Sequence, residues 1–408
     1  MQARNQVRAM FPSSLPLDFQ TGLQALAVEM ATAGVDPMAI DDEYLHIIDE
    51  SLDILVRTTD WLGVIWLRNL FNPLIRRDTA IGIPQIRRIE QQALIAARQI
   101  GDPAIQAPLL EEEARHLHKQ GYHDRAIECF QAASRAYSSS GQESLATRSY
   151  FMTATCQRAL GRSRVSEAII QTILEQTDKS DPFRGELLHA LALLRRDEGN
   201  LDEAEQLLHQ SLDYYQLIDR NARINSSDYH LIDPSSLVGV FDEGADVLVA
   251  GALTDLGEIR GLRGDKRGAK MLFQSSLDLL AEYRGQFKRH EARTRLKLVE
   301  VLAFEGDYDE ALRLLHSTSD ELCAWDEQPQ AARLYYDWLW RTELLEAFIY
   351  FRMGHVGLML RKLRLVLAYR SELSLSLPHL IRQLFGRLRS SLLNNVMRRE
   401  TSAETDAA

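Results

Sequence analysis

Cysteine, proline and glycine are all scarce in this chain. Its 408 residues hold three cysteines, eleven prolines and twenty-two glycines. Cys129, Cys156 and Cys323 are far apart, and an odd, scattered set fits reduced thiols better than a disulfide framework. No C-x-x-C pair occurs, which removes the usual thiolate zinc knuckle, and no metal or other cofactor is expected. So few prolines and glycines argue against an all-β fold, whose many turns consume both. No apolar run approaches the twenty residues a membrane-spanning helix needs. The opening "MQARNQVRAMFPSSLP" has no apolar signal-peptide core, so a cytoplasmic location is expected. A net charge of −11 disfavours general nucleic-acid binding.

What the chain has in abundance is helical pattern. Leu, Ala, Glu, Arg and Gln dominate, and apolar residues recur at i, i+3 and i+4, as in "QQALIAARQIG" and "EAEQLLHQSLDYYQLI". Four segments repeat a longer pattern: "HKQGYHDRAIECFQAA" (118–133), "RDEGNLDEAEQLLHQS" (196–211), "GLRGDKRGAKMLFQSS" (261–276) and "AFEGDYDEALRLLHST" (303–318). Each holds a glycine (Gly121, Gly199, Gly264, Gly306), an alanine five residues on (Ala126, Ala204, Ala269, Ala311), and a large apolar residue four further (Phe130, Leu208, Phe273, Leu315). The glycine can take positive φ and stop a helix. The alanine lets a second helix cross closely, and the large residue fills the space between hairpins. Seven residues before the glycine stand Ala114, Ala192, Gly257 and Val299. Weaker copies centre on Gly161 and Gly354.

This pattern resembles the tetratricopeptide repeat. The resemblance covers about 101–386 and implies an all-α fold, a right-handed α-solenoid of helical hairpins. Turn glycines at 121, 161, 199, 264, 306 and 354 are more widely spaced than the family's period of about 34. Such long repeats are similar to those of bacterial regulators and of helical arms in signal-transduction ATPases. The expected organisation is a tail at 1–14, a helical capping region at 15–100, repeats at 101–220, an inserted loop at 221–247, repeats at 248–386, and a basic helix end with a tail at 387–408.

A catalytic reading finds no footing. "GLRGDKRGAK" is rich in glycine and cations, but it lacks the spacing of a phosphate-binding loop and follows a helix rather than a strand. Glu112 and His116 share a helix face, with His118 and His123 nearby, yet H-E-x-x-H is absent. No G-x-S-x-G occurs, and each cysteine fits a helix.

The resemblance instead implies a non-enzymatic scaffold, adaptor or regulator, whose first helices line a concave groove for a partner segment. The family's groove positions carry over to Glu111, Arg115, His118 and Lys119, then Thr155 and Arg158, then His189 and Arg196. This strip is mostly basic and suits a protein or peptide partner with an acidic segment. Leu296, Glu300, Phe304, Leu344, Phe348 and Phe351 hold comparable positions later. Residues 361–400 carry nine Lys/Arg against Glu372 and Glu400. The alternative is therefore a ligand-responsive regulator that meets nucleic acid or an anionic surface through basic C-terminal helices.

Overall fold

The computed structural model describes residues 14–32, 42–71, 84–119, 121–225, 245–281, 288–323 and 332–373. Among them are sixteen α-helices and no strand. Four precede the clear repeats: α1 (Leu17–Thr32), α2 (Asp42–Arg57), α3 (Trp61–Leu70) and α4 (Pro84–Ile100). Twelve follow: α5 (Pro103–Lys119), α6 (His123–Ser139), α7 (Glu143–Ala159), α8 (Ser163–Gln176), α9 (Phe183–Glu198), α10 (Leu201–Asn225), α11 (Ala245–Leu262), α12 (Lys266–Ala281), α13 (Lys288–Glu305), α14 (Tyr308–Cys323), α15 (Ala332–Arg352) and α16 (Val356–Leu373). The chain divides into two compact units, Met1–Ile169 with Trp325–Leu334, and Ile170–Ala324 with Tyr335–Ala408.

Most of the expected loop at 221–247 lies outside the described residues, but its ends do not. Helix α10 runs on to Asn225 and α11 begins at Ala245, because "RNARIN" continues the helical pattern and "ADVLVAGAL" opens the next one. Residues 1–13 of the expected tail and the whole of 387–408 also lie outside.

The repeat register is visible in the backbone. All six turn glycines have positive φ, from +76° at Gly161 to +91° at Gly306. After each, the next N–H bonds back five residues, as in Tyr122 N to Leu117 O (2.8 Å), Asn200 N to Arg195 O (2.9 Å) and Asp265 N to Arg260 O (2.9 Å). This closure needs a left-handed residue, which glycine adopts without steric cost. Ala126, Ala204, Ala269 and Ala311 are fully buried, as are Phe130 and Leu208. A Cβ on Gly257 would stand 2.6 Å from the Phe273 ring, so only glycine fits that crossing.

In the first unit, α1–α4 enclose one core of Leu23, Ile48, Leu52, Leu55, Leu67 and Ala96. Consecutive helices α4, α5, α6 and α7 then pack in order. In the second unit the order α9 to α14 repeats this, and α9 touches α11 while α11 touches α13. In this unit the first helices α9, α11 and α13 thus lie side by side, which builds a continuous surface from the three. A fully buried hydroxyl cluster joins α11, α12 and α13: Thr254 Oγ1 lies 2.9 Å from both Ser276 Oγ and Thr294 Oγ1, and Ser276 donates to Ala250 O at 2.8 Å.

Within "GLRGDKRGAK" the charges do not simply face water. Asp265 caps α12, accepting from Gly268 N at 2.9 Å, so the helix start that a phosphate would need is held by a carboxylate. Arg263 pairs with Asp202 and Glu205 of α10, Lys270 with Glu305 of α13, and Lys266 donates to Phe304 O at 3.1 Å.

Candidate functional site

On the first unit, the inner positions of α5 are largely committed within the protein. Glu111 is buried, not open to a groove. It accepts from Tyr137 Oη at 2.9 Å and pairs with Arg115 one turn on at 2.7 Å. Burial and the neighbouring Glu111 carboxylate push the Tyr137 hydroxyl well above its usual range. Arg115 keeps about two-fifths of its side chain exposed. Glu112 and His116 do not act together: Glu112 meets Arg68, and His116 lies 3.7 Å from Glu90. His118 turns into the hairpin, with its Nδ1 3.2 Å from His123 Nδ1 and 3.3 Å from Cys156 Sγ. Burial pushes the Cys156 thiol up to about 12. Thr155 and Arg158 are half-buried on α7, and the Lys119 side chain lies outside the described atoms.

On the second unit the arrangement is an ion network across three adjacent helices. Asp255 of α11 is fully buried. It accepts from His189 Nε2 (2.9 Å) and Arg196 (2.9 Å) of α9, and from Arg293 (2.6 Å) of α13. Glu258, one turn along, pairs with the same Arg196 at 2.9 Å and with Lys297 at 2.8 Å. Lys297 reaches on to Glu300 at 3.4 Å. His189 Nδ1 is 3.3 Å from Tyr215 Oη.

Burial alone would raise the Asp255 carboxyl, but Arg293, His189 and Arg196 outweigh it and hold it far below the usual carboxylate range. The same contest brings Glu258 to about 2, with Arg196 and Lys297 prevailing over burial. Burial works against the Arg196 charge, and Glu258, Asp255 and Asp197 more than restore it. A second carboxylate–cation group lies on α15 and α16, where Lys362 meets Glu343 (2.9 Å) and Glu346 (2.8 Å).

The expected basic strip is therefore corrected on this unit. Arg196 and His189 are present at the inner positions, but α11 supplies two carboxylates that occupy them, Asp255 bonding both and Glu258 pairing with Arg196. Glu258 was legible in principle, whereas Asp255 matches none of the expected groove positions. Counting back from the turn glycines, Arg115, Thr155 and Glu300 stand at minus six, and Glu258 stands six before Gly264. The later apolar positions also differ from a groove: Leu296 and Leu344 are buried core, and the Phe304 and Phe348 rings pack at 5.2 Å. Phe351 alone of that group is largely exposed.

Among the described residues no helix is long and apolar enough to cross a membrane. No family model matches the chain, and no curated protein matches it in sequence. Solved structures resemble it in fold. A Rap protein complexed with competence and sporulation factor aligns over 88% of this chain and 99% of its own, with 12% identity and a TM-score of 0.52. NprR in complex with its cognate peptide NprX aligns over 91% and 99%, with 16% identity and a TM-score of 0.49. Taken with the hairpin register and the positive-φ turns, the likeness to the Rap structure gives the conclusion that this chain has the all-α fold of tetratricopeptide-like hairpin proteins, the α-solenoid class.

Proposed function

We propose that the chain is a non-enzymatic cytoplasmic receptor, which captures a peptide or protein segment on its first-helix surface and acts as an adaptor or regulator. In this reading the repeats span 101–225 and 245–386 and the helices of 15–100 cap them. The observation that carries the proposal is the side-by-side arrangement of α9, α11 and α13, crossed by a locked network of Asp255, Glu258, Arg196, Arg293 and Lys297. Side chains already fixed by their neighbours lose little freedom when a partner arrives, which favours recognition. The Rap protein that shares the fold is itself crystallised with a factor bound, and that lends support.

The contacts fall to different residues than the expected strip alone. Arg115, Thr155, Arg158 and Lys119 stand for the first unit, while His118 turns into the hairpin and drops out. On the second, His189, Arg196 and Glu258 act as a frame, while Arg293, one-third exposed, is the group that meets the ligand. A charge-balanced surface with a few donors suits a polar segment with one or two acidic side chains.

Selection of a displayed random-peptide library on the full chain tests the reading. Enriched sequences should share a short motif, and the selected peptide should bind Arg115→Glu/Arg158→Glu at least about tenfold more weakly, a loss of about 1.4 kcal/mol. An unchanged affinity, with helicity intact, would remove those contacts. No enrichment at all would remove peptide capture.

A further inference from the structure

Independent of partner capture, three side chains of the first unit meet in a way that hairpin packing does not require. His118 lies near the end of α5 and His123 opens α6. Between them Gly121, at φ +81°, reverses the chain and brings the rings to 5.0 Å at an angle of 56°. Cys156 comes from α7, thirty-eight residues along from His118, and is fully buried. One ligand atom from each residue lies within 4.8 Å of the other two.

The contacts are awkward as hydrogen bonds and natural as a coordination set. A neutral imidazole nitrogen carries either one in-plane lone pair or one proton. His118 Nδ1 faces both His123 Nδ1 at 3.2 Å and Cys156 Sγ at 3.3 Å, so that single lone pair or proton serves two neighbours. A metal ion at the centre would instead use one lone pair from each of the three atoms. A tetrahedral zinc with bonds of about 2.0–2.1 Å to nitrogen and about 2.3 Å to sulfur separates its ligands by roughly 3.3 Å (N to N) and roughly 3.6 Å (N to S). The two separations from His118 fall within a few tenths of an ångström of these, and the third, from His123 to Cys156, lies within 4.8 Å, so the set closes slightly around an ion. Buried Ala114, Leu117, Ala126, Ile127 and Phe130 pack with Cys156 in one apolar cluster, the kind of low-dielectric wall that strengthens coordination.

We propose that His118 Nδ1, His123 Nδ1 and Cys156 Sγ form a transition-metal site of the Zn²⁺ class. One thiolate and two imidazoles select a borderline-soft ion over Mg²⁺ or Ca²⁺. Three protein ligands leave a fourth position for water or for a donor brought by a partner. The ion would join α5, α6 and α7, and so fasten one hairpin to the first helix of the next.

The test uses the full chain, stripped by a chelator and titrated with Co²⁺ as the spectroscopic probe. One equivalent should raise a thiolate-to-cobalt charge-transfer band together with the intense visible bands of a four-coordinate ion, and Zn²⁺ should abolish both. Cys156→Ser should remove the charge-transfer band, and His123→Gln should weaken binding at least about tenfold. Cys129→Ser should change nothing. A wild-type chain that shows no such band overturns the proposal whatever the variants do. So does a band that survives Cys156→Ser, or His123→Gln binding with unaltered affinity. Should Cys156→Ser fail to fold, Zn²⁺ protection of Cys156 from alkylation in the wild type decides: unprotected Cys156 at saturating Zn²⁺ refutes the site.

Discussion

The two units place polar side chains on the same kind of surface and satisfy them differently. In the first, Glu111 is held locally, by Arg115 one turn along its own helix and by Tyr137 from the adjacent one. In the second, Asp255 is held by two arginines and a histidine from two other hairpins, through Arg196, Arg293 and His189. Local pairing stabilises a hairpin, whereas pairing across hairpins stabilises the order in which they stack. A buried ion group is not automatically a gain, because desolvation offsets much of the Coulomb attraction. Its effect shows when one member is removed and the others remain buried without a counterion.

That contrast predicts the largest effect at Asp255. Asp255→Ala should destabilise the chain by about 3–5 kcal/mol in urea unfolding, since Arg196 would stay buried with its charge less compensated. A loss under about 1 kcal/mol would show that the network relaxes into water and that the contrast between the units is false. Acid should find the same difference. The Asp255 and Glu258 carboxyls sit below their ordinary values of 3.8 and 4.5, Glu258 at about 2. Their stabilisation is full above those ordinary values and is lost as pH falls through the folded ones. Wild-type stability should therefore drop by on the order of 3 kcal/mol between about pH 5 and pH 2 from Glu258 alone, and Glu258→Gln should flatten that slope. A parallel decline in both proteins would assign the acid sensitivity elsewhere.

Gly257→Ala tests packing beside the network. The added methyl would meet Phe273, at a cost of about 1–3 kcal/mol, and Phe273→Leu in the same chain should recover part of it. Tyr137→Phe probes the local mode. Removing one donor from a carboxylate that keeps Arg115 should cost about 1–2 kcal/mol, less than Asp255→Ala. If it costs as much, Glu111 is as dependent on its partners as Asp255. Smallest of all, Lys270→Ala removes a partly exposed pair with Glu305 and should change stability by less than about 1 kcal/mol.

Much of the fold was legible because each repeat mark reports on its own neighbourhood. A glycine that must adopt positive φ, an alanine at a close crossing and a large residue four further on each reflect one hairpin, and Gly264, Ala269 and Phe273 behave as their spacing requires. The site was less legible because its pairings join distant residues. Arg196 meets Asp255 across fifty-nine positions, and Cys156 meets His118 across thirty-eight. Composition reported an acidic chain and residue types suggested a basic strip. Neither could show that the carboxylates of α11 sit under the cations of α9 and α13. The expected loop at 221–247 failed at its ends for a different reason: Asn and Asp mark turns only when the flanking helical pattern stops, and at 221–225 it continues.

The turn at Gly264 has one more consequence. Arg263 addresses Asp202 and Glu205 of the preceding hairpin, while Lys270 addresses Glu305 of the following one. A repeat wired to both sides in this way is no longer an interchangeable tile. Moving α11–α12 elsewhere in the array, or duplicating it in tandem, would keep its hydrophobic interfaces and mismatch its charges. The order of the hairpins is thus written in the same ten residues that first resembled a phosphate loop, and an experiment that shuffles repeats should find this one the least portable.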